Sequence, residues 1–326
     1  MKALLARYAA RTEDLIDALR GDRVFEGPVH VEAYIGYATP THLVARGRVL
    51  SRPAHSAKAQ TALEGLRESI ARFLTDEIAG VTVEAHGVAT ETDEEGHFRL
   101  VLPREVATTP QDGWTEVAVH LPAHGTMAEL PVRLPSPGAT LGVISDIDDT
   151  LIETGAYSLL RNLRTSLTGT LASRVVFDDS RDLLAALAAP TFYVSSSPWN
   201  LHPFLEAVFE RGGLPREPKF LRDFGLDEAR LVTGTHDDHK GEAIDTIMEA
   251  NPEMGFLLMG DTGQHDAQVY LAALRRHPGR VRAIALRQAG PLDREDAEAR
   301  AALEASGVPV FTGETFDAAA IRAALS

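Results

Sequence analysis

The sequence predicts an α/β domain built on a parallel sheet, preceded by a small antiparallel β-domain of the sandwich type. The chain has 326 residues, which is more than one hydrophobic core usually organises. Its first half contains short strands of alternating apolar and polar residues, whereas its second half alternates wholly apolar strands with amphipathic helices. A stretch rich in Pro and Gly, PSPGA at 135–139, lies between the two halves and predicts a linker.

In the first half, the alternation of apolar and polar residues and the β-rich composition are typical of strands. A helical pattern interrupts them at 57–74, and the acidic TDEEG turn at 92–96 predicts a hairpin. These elements define a predicted first domain over 1–136, with an amphipathic helix at 1–21. The predicted strands fall within residues 30–50, 80–103 and 115–135.

From Leu141 onwards the strands LGVIS, TFYVS, FLLMG, VRAIALR and VPVF are continuously apolar and are separated by helical stretches. This pattern predicts a parallel sheet covered on both faces, in a second domain over 137–326. Ligands of such sheets bind beyond the carboxyl ends of the strands. Because Asp146, Ser195 and Asp261 each follow an apolar strand directly, we expect them on one edge of the sheet.

Composition excludes several kinds of chemistry. Cysteine is absent, so thiol catalysis, thiolate metal sites and disulfides are excluded. The formal net charge of -15 argues against nucleic acid as a partner, because like charges repel. The amino terminus lacks the apolar run of a secretory signal, and no stretch approaches the roughly 20 apolar residues of a membrane span. We therefore expect a cytoplasmic protein, either free or in peripheral contact with a membrane.

Four signals follow one another in the second half: DIDDT at 146–150, SSSPWN at 195–200, Lys240 in HDDHKGEAI, and GDTGQHD at 260–266. This ordered set resembles the haloacid-dehalogenase superfamily of aspartyl-phosphate enzymes. More narrowly, over about residues 141–290, it resembles the catalytic domain of the Mg²⁺-dependent phosphatidate phosphatases of the fungal actin-patch type. The resemblance implies a Rossmann-like fold and hydrolysis of a phosphomonoester with Mg²⁺ as cofactor.

The resemblance also implies roles for the DIDDT residues. Asp146 would be the nucleophile, and Asp148 would protonate the leaving group and then activate water. On an extended strand end these two side chains can face the same side, since side chains repeat every second residue. Thr150 would steady the motif loop, and Asp149 would support its turn.

The remaining implied roles concern the metal and the phosphate. Lys240 would neutralise the nucleophile and the phosphoryl oxygens, and Ser195 and Ser196 would bind phosphate. Taken alone, Ser195 in SSSP is also typical of a helix N-cap. The implied Mg²⁺ ligands are Asp146, the backbone carbonyl of Asp148, and Asp261, with Asp266 close by.

The substrate is less strongly indicated. About 40 residues separate Thr150 from the next apolar strand, which is short for a large cap domain and favours an open site for a bulky or membrane-bound substrate. Between Glu153 and Asp178 there is no acidic residue, and Arg161 and Arg164 accompany leucines at helical spacing. Such an element favours an anionic lipid head group. The alternative is a helix that packs its leucines on the core and leaves its arginines in water.

Three functions therefore stay open. The first is hydrolysis of phosphatidate or a related lipid phosphate, and the second is hydrolysis of a soluble nucleotide, sugar or nucleic-acid-end phosphate. The third is a non-catalytic Mg²⁺-binding scaffold whose β-domain binds a partner. A separate transition-metal site at His236 and His239, with Asp237 and Asp238, is a further alternative, although no third histidine follows at ligand spacing.

Overall fold

The computed structural model describes residues 27–51, 77–107, 113–135, 138–153, 176–222, 236–289 and 294–326. The helices predicted at 1–21 and 57–74 lie outside these ranges, and so do Arg161 and Arg164. Within them the chain forms two sheets, one of seven strands and one of six. The boundary predicted near residue 136 falls between the last strand of the first sheet and the first strand of the second.

The first sheet contains every described strand before residue 138, and its order is β4-β3-β6-β7-β1-β2-β5. Its pairs are antiparallel except for β1 with β7, which is parallel. The predicted antiparallel β-rich domain is therefore confirmed, with all strands hydrogen-bonded into a single sheet. The strands are β1 (His30–Ala38), β2 (His42–Leu50), β3 (Thr82–Ala85), β4 (Val88–Glu91), β5 (His97–Pro103), β6 (Trp114–Leu121) and β7 (Thr126–Arg133).

The hairpin predicted at 92–96 is wrong. The backbone does turn there, with Gly96 N donating to Asp93 O at 2.9 Å, but β4 and β5 lie at opposite ends of the strand order. β4 pairs instead with β3 across a tight turn, in which His86 and Gly87 have φ of 48° and 78°. Two such residues favour a two-residue hairpin. Because β4 and β5 still contact each other, the sheet curls over one apolar core.

The second sheet has the order β10-β9-β8-β11-β12-β13, and all its pairs are parallel. This confirms the predicted α/β domain. The strands are β8 (Leu141–Asp146), β9 (Thr191–Pro198), β10 (Lys219–Arg222), β11 (Gly255–Asp261), β12 (Val281–Arg287) and β13 (Val310–Gly313). Only β10 lacks a counterpart among the strands predicted from the sequence.

Six helices accompany these strands in the described part of the chain. The helical stretches predicted between the apolar strands are present. Among the described segments, no helix is both long and apolar enough to cross a membrane. The helices are α1 (Asp178–Leu187), α2 (His202–Gly212), α3 (His236–Ala250), α4 (Asp266–Arg276), α5 (Arg294–Glu304) and α6 (Ala318–Leu325).

The core of this domain lies on both faces of the sheet because neighbouring side chains on a strand point in opposite directions. Val143 belongs to one buried cluster and Ile144 to the other, and Leu257 and Leu258 divide in the same way. Burying each such side chain contributes about 1.5–3 kcal/mol. The chain leaves β8 for β9 on one side and later returns to β11 on the other, so the strand order reverses at β8. This is where parallel sheets bind ligands.

The two domains are packed against each other. Tyr37 and Val44 of the first sheet join the apolar cluster around Ile144. Arg133 Nε pairs with Glu217 Oε2 across the boundary at 2.9 Å. The β-domain is therefore in direct contact with the α/β domain along its β9–β10 side.

Candidate active site

The central strand β8 ends at a buried carboxylate, Asp146, whose exposed fraction is 2%. β8 lies between β9 and β11, so both of its edges are hydrogen-bonded and both of its faces are covered. Such a strand can end in a charged group only if that group meets partners at the carboxyl edge. The residues that follow β8, β9 and β11 supply them.

The turn after β8 brings Asp148 back over the sheet edge. Leu151 N and Ile152 N both donate to Ile147 O, at 2.9 and 3.1 Å, and Asp149 N donates to Ile152 O at 2.8 Å. Asp149 has φ of 54°, in the left-handed region that Asp tolerates better than most residues. The second carboxylate of DIDDT is therefore held by a closed backbone turn.

Two hydroxyl groups of β9 orient the Asp148 carboxylate. Ser195 Oγ donates to Asp148 Oδ2 at 2.9 Å, and Ser197 Oγ donates to the same oxygen at 3.0 Å. The residues are two apart and share one side of the strand, whereas Ser196 alternates to the other side. Ser195 is thus not a helix cap, because the next helical turn, Trp199–Leu201, begins after Pro198 without a side-chain cap. Sequence reasoning missed Ser197, although period-2 spacing in SSSP would have indicated it.

Lys240 neutralises the centre of the site. It is 4% exposed, and its Nζ lies 2.7 Å from Asp146 Oδ1 and 2.6 Å from Asp266 Oδ1. Lys240 lies in the first half of α3, which places its side chain over the carboxyl edge. Burial lowers the pKa of Lys240, but the negative charges of Asp146 and Asp266 outweigh burial and raise it overall. The lysine is therefore charged at neutral pH.

Asp261 ends β11, and Asp266 begins α4. Asp266 Oδ2 accepts a hydrogen bond from Asp261 N at 3.0 Å, which fixes the GDTGQHD loop around the carboxylate. One carboxylate oxygen from each of Asp146, Asp261 and Asp266 lies within 4.8 Å of the others. Oδ2 of Asp146 and Oδ2 of Asp261 are buried without a hydrogen-bond partner among the described residues. The three carboxylates and their unpaired oxygens fit a divalent cation that prefers hard oxygen ligands.

The pKa values of these carboxyl groups reflect their crowding. Burial raises the pKa of Asp146 well above its ordinary value, and the neighbouring carboxylates of Asp266, Asp148 and Asp261 raise it further, against the opposing effect of Lys240. Burial and the charge of Asp266 likewise raise the pKa of Asp261 to about 7. A cation among them would favour the ionised forms.

Hydrogen bonds to the backbone of Thr150 connect the DIDDT motif to neighbouring elements, and one of them comes from Arg287. The Thr150 side chain is fully buried, and its carbonyl accepts hydrogen bonds from Ser180 Oγ at 2.7 Å and from Arg287 Nε at 3.3 Å. Arg287 ends β12 and also donates to Glu314 O at 2.6 Å. The Thr150 backbone is thus hydrogen-bonded to α1 and to β12, and Arg287 is a contact of the motif that sequence reasoning missed.

Of the side chains in two further predicted groups, the structure describes only that of His239. Arg161 and Arg164 lie outside the described residues, as do the side chains of His236, Asp237 and Asp238. His239 is partly buried beside Lys240, and burial lowers its pKa. In the described ranges, the Asp146–Asp261–Asp266 group is the only set of His, Asp or Glu side chains with metal-binding spacing.

Residues 141–288 match the family model described as the catalytic domain of phosphatidate phosphatase APP1. The carboxy-terminal domain is APP1-like. The resemblance to this catalytic domain, predicted from DIDDT, SSSPWN, Lys240 and GDTGQHD, is confirmed. The match coincides with the parallel sheet from β8 to β12.

Two curated relatives extend the APP1-like similarity. Phosphatidate phosphatase APP1 of Saccharomyces cerevisiae is 24% identical over 216 residues, which are 65% of this chain and 36% of the yeast protein. An uncharacterized protein of Schizosaccharomyces pombe is 27% identical over 207 residues, which are 60% of this chain and 34% of that protein. The chain thus spans about a third of the length of the curated relatives it matches.

Two solved structures were also matched. A haloacid dehalogenase-like hydrolase from Burkholderia xenovorans is 13% identical with a TM-score of 0.33, over 54% of this chain and 95% of that one. A chain of the Pnkp1/Rnl/Hen1 complex is 14% identical with a TM-score of 0.32, over 51% of this chain and 55% of that one.

Proposed function

We propose that this chain is a Mg²⁺-dependent phosphomonoester hydrolase that acts through an aspartyl phosphate at Asp146. The observation that carries the proposal is the buried cluster at the end of β8, in which Lys240 bridges Asp146 and Asp266 beside Asp261. Three carboxylates and one ammonium group leave two negative charges uncompensated. A divalent cation held by these carboxylates would supply the matching charge and would neutralise charge on a phosphoryl group.

The cation would be held by Asp146 and Asp261, with the backbone carbonyl of Asp148, while Asp266 orients Lys240 and the Asp261 backbone. When bound, Mg²⁺ supplies Lewis-acid neutralisation of the phosphoryl oxygens. Lys240 supplies a second positive charge at the nucleophile from the protein itself.

In the first step a carboxylate oxygen of Asp146 attacks phosphorus, and the bond from phosphorus to the leaving oxygen breaks. Asp148 gives its proton to the leaving alkoxide as it departs. Lys240 stabilises the negative charge that develops on the transferring group, because its ammonium group is already in place and buried. The products of this step are the free alcohol and phospho-Asp146.

In the second step Asp148, now ionised, takes a proton from a water molecule, and the water oxygen attacks phosphorus. The bond between phosphorus and the Asp146 oxygen breaks, and inorganic phosphate leaves. Ser195 and Ser197 hold the Asp148 carboxylate for both proton transfers through their hydrogen bonds to Oδ2. A single oriented carboxyl group thereby acts first as acid and then as base.

We further propose phosphatidate or a related lipid phosphate as the substrate, and action at a membrane surface by a cytoplasmic protein. This is supported by the APP1 catalytic-domain match and by the name of the yeast relative. A soluble phosphomonoester is the alternative substrate class. Phosphate release from phosphatidate in mixed micelles, measured with soluble nucleotide and sugar phosphates as competitors, decides between them.

The test of the reaction is phosphate release with and without Mg²⁺ from wild type, Asp146→Asn and a matched control. The control is Asp182→Asn on α1, whose side chain is 64% exposed. We expect Asp146→Asn to lose activity by at least about a thousandfold and to lose binding of beryllium fluoride, while the control keeps both. Retained turnover in Asp146→Asn would refute the aspartyl phosphate. Binding of Mg²⁺ without turnover of any phosphomonoester would support the scaffold instead.

A further inference from the structure

A cavity of about 520 Å³ lies between the two domains, and its described lining does not include the Asp146 cluster. This volume is within the range of roughly 300–1,000 Å³ that is usual for small-molecule sites. The β-domain contributes Tyr34, Tyr37 and Phe98 to its walls, and the APP1-like domain contributes Trp199 and Phe220. The cavity is therefore bordered by five aromatic rings.

Arg46 of β2 is the charged group on the buried wall of this cavity. Its side chain is 9% exposed. The guanidinium carbon lies 5.4, 5.2 and 5.0 Å from the ring centres of Tyr37, Trp199 and Phe220, respectively. Nη2 donates to two carbonyl oxygens, those of Ile35 at 2.6 Å and Lys219 at 3.1 Å. The guanidinium is thus held by rings and carbonyl groups of both domains.

No carboxylate of the described residues forms an ion pair with Arg46, and its Nε has no hydrogen-bond partner among them. Burial lowers the pKa of Arg46 to about 10. A buried cation without a counter-charge is costly, and an anion that reaches it removes this cost. The contrast with Arg133, which pairs with Glu217 at the same domain boundary, shows that a carboxylate partner can be provided there.

The lining of the cavity also contains acidic and basic side chains besides Arg46. The acidic ones are Glu91 and Glu242, which are exposed, and Asp93, whose Oδ1 accepts hydrogen bonds from the backbone of its own turn. Arg99 is exposed as well. Two histidines, His97 and His239, also line the cavity, and burial lowers the pKa of both. At the exposed positions of the lining two carboxylates face one guanidinium, whereas Arg46 remains uncompensated on the buried side.

We propose that this cavity is a binding site for a small organic anion with an apolar, ring-containing body. The negative group of the ligand would neutralise Arg46, and its body would pack against Trp199 and the neighbouring rings. Trp199 is two residues beyond Ser197, and His239 directly precedes Lys240. A ligand there contacts both segments that carry groups of the Asp146 site, and it bridges the two domains.

The test uses the full chain without Mg²⁺ and two fluorescent probes of similar shape. One is anilinonaphthalene sulfonate, an aromatic anion, and the other is the neutral N-phenyl-1-naphthylamine. We expect saturable binding of the anion, weakened about 10- to 100-fold by Arg46→Met, which removes a charged partner. Arg46→Lys should keep most of the affinity, and the neutral probe should change far less than the anion in either variant. Equal affinity of folded Arg46→Met and wild type for the anion would overturn the proposal.

A second variant, Thr246→Phe, tests the same site if Arg46→Met fails to fold. Thr246 lines the cavity from α3 and is partly exposed, so Thr246→Phe fills the space without disturbing the core. Both probes should then be lost, whereas Glu249→Phe, on the exposed side of the same helix, should bind them as wild type does. Unchanged binding in Thr246→Phe would place the probes elsewhere and refute the site.

Displacement of the anionic probe shows whether the negative group of the ligand is a carboxylate or a phosphate. In the Asp146→Asn variant, 1-naphthoate and 1-naphthyl phosphate separate a carboxylate ligand from a phosphate ligand without hydrolysis. Displacement by neither compound would contradict the ligand class. Because binding is read without Mg²⁺ and without turnover, it can fail while the proposed phosphatase activity holds, and it can hold while that activity fails.

Discussion

Removal of Lys240 is the sharpest perturbation of the carboxylate cluster. In Lys240→Met, two buried ion pairs of 2.7 and 2.6 Å are lost with one ammonium group. Breaking a buried pair by removing one partner costs about 3–5 kcal/mol. Burial already raises the pKa of Asp146, so this carboxyl group can take up a proton in the variant. The second broken ion pair therefore adds little, and the expected cost stays at about 3–5 kcal/mol instead of doubling. At about 2–4 °C per kcal/mol, we expect the Tm to fall by about 6–20 °C.

The diagnostic result is the response to Mg²⁺. A cation that binds only the folded state stabilises it by about 2.7 kcal/mol at one hundred times its Kd. Lys240→Met removes the ammonium group that competes with Mg²⁺ for the carboxylates, and Mg²⁺ can displace a proton from Asp146. Added Mg²⁺ should therefore raise the Tm of the variant more than that of wild type. Thermal unfolding followed by circular dichroism, with and without Mg²⁺, measures both effects.

Lys219→Met is the matched control. Lys219 is 2% exposed, but it lies in β10, which β9 separates from β8, and its ion pair is with Glu206 rather than with a carboxylate of the cluster. Its removal should lower the Tm by a comparable amount and leave the response to Mg²⁺ as in wild type. If both variants respond to Mg²⁺ equally, or if Lys240→Met is not destabilised, the reasoning about the cluster is refuted.

Three further substitutions test the supporting contacts. In Gly260→Ala the new Cβ would lie 2.7 Å from Tyr270 Oη and 2.9 Å from Asp266 Cβ, so Asp266 must move. Calorimetric titration should then show that Mg²⁺ binding is weakened about tenfold or more. In Trp199→Ala the ring stacked on Tyr34 at 4.5 Å is lost, and the free energy of unfolding in urea should fall by about 3–5 kcal/mol. In Ser197→Ala one of two hydroxyl donors to Asp148 is lost, and kcat for phosphate release should fall about 10- to 100-fold with KM little changed.

Each of the three substitutions has a control variant. Gly241→Ala introduces a Cβ no closer than 3.4 Å to a neighbouring atom and should bind Mg²⁺ normally. Trp199→Phe keeps an aromatic ring and should recover most of the lost stability. Ser197→Thr keeps the hydroxyl group and should recover most of the lost kcat. Full Mg²⁺ affinity in Gly260→Ala, wild-type stability in Trp199→Ala, or an unchanged kcat in Ser197→Ala would contradict the corresponding contact.

The parallel sheet was predictable because continuous apolar strands and intervening amphipathic helices are local patterns. The edge on which Asp146, Ser195 and Asp261 meet followed from the same patterns, since each residue directly follows such a strand. β10 was not predictable in this way, because its four residues, KFLR, include a lysine whose burial depends on the tertiary contacts of its ammonium group with Glu206 and Phe209. The hairpin at 92–96 was predicted wrongly because a turn signal reports a reversal of the chain and does not report which strand becomes the partner.

By itself, the sequence determined the parallel-sheet fold, the order of the motifs and the residue types that meet at the edge, because these depend on side chains close together in the chain. Tertiary structure alone decided which of those residues touch. Lys240 bridges Asp146 and Asp266, and Ser197 joins Ser195 on Asp148, across separations that no periodicity encodes. It also decided that Arg46, one of the two arginines of β2, is buried between the domains without a carboxylate partner among the described residues. Burial and partnership are properties of the packed chain, and they set the charge balance on which both sites depend.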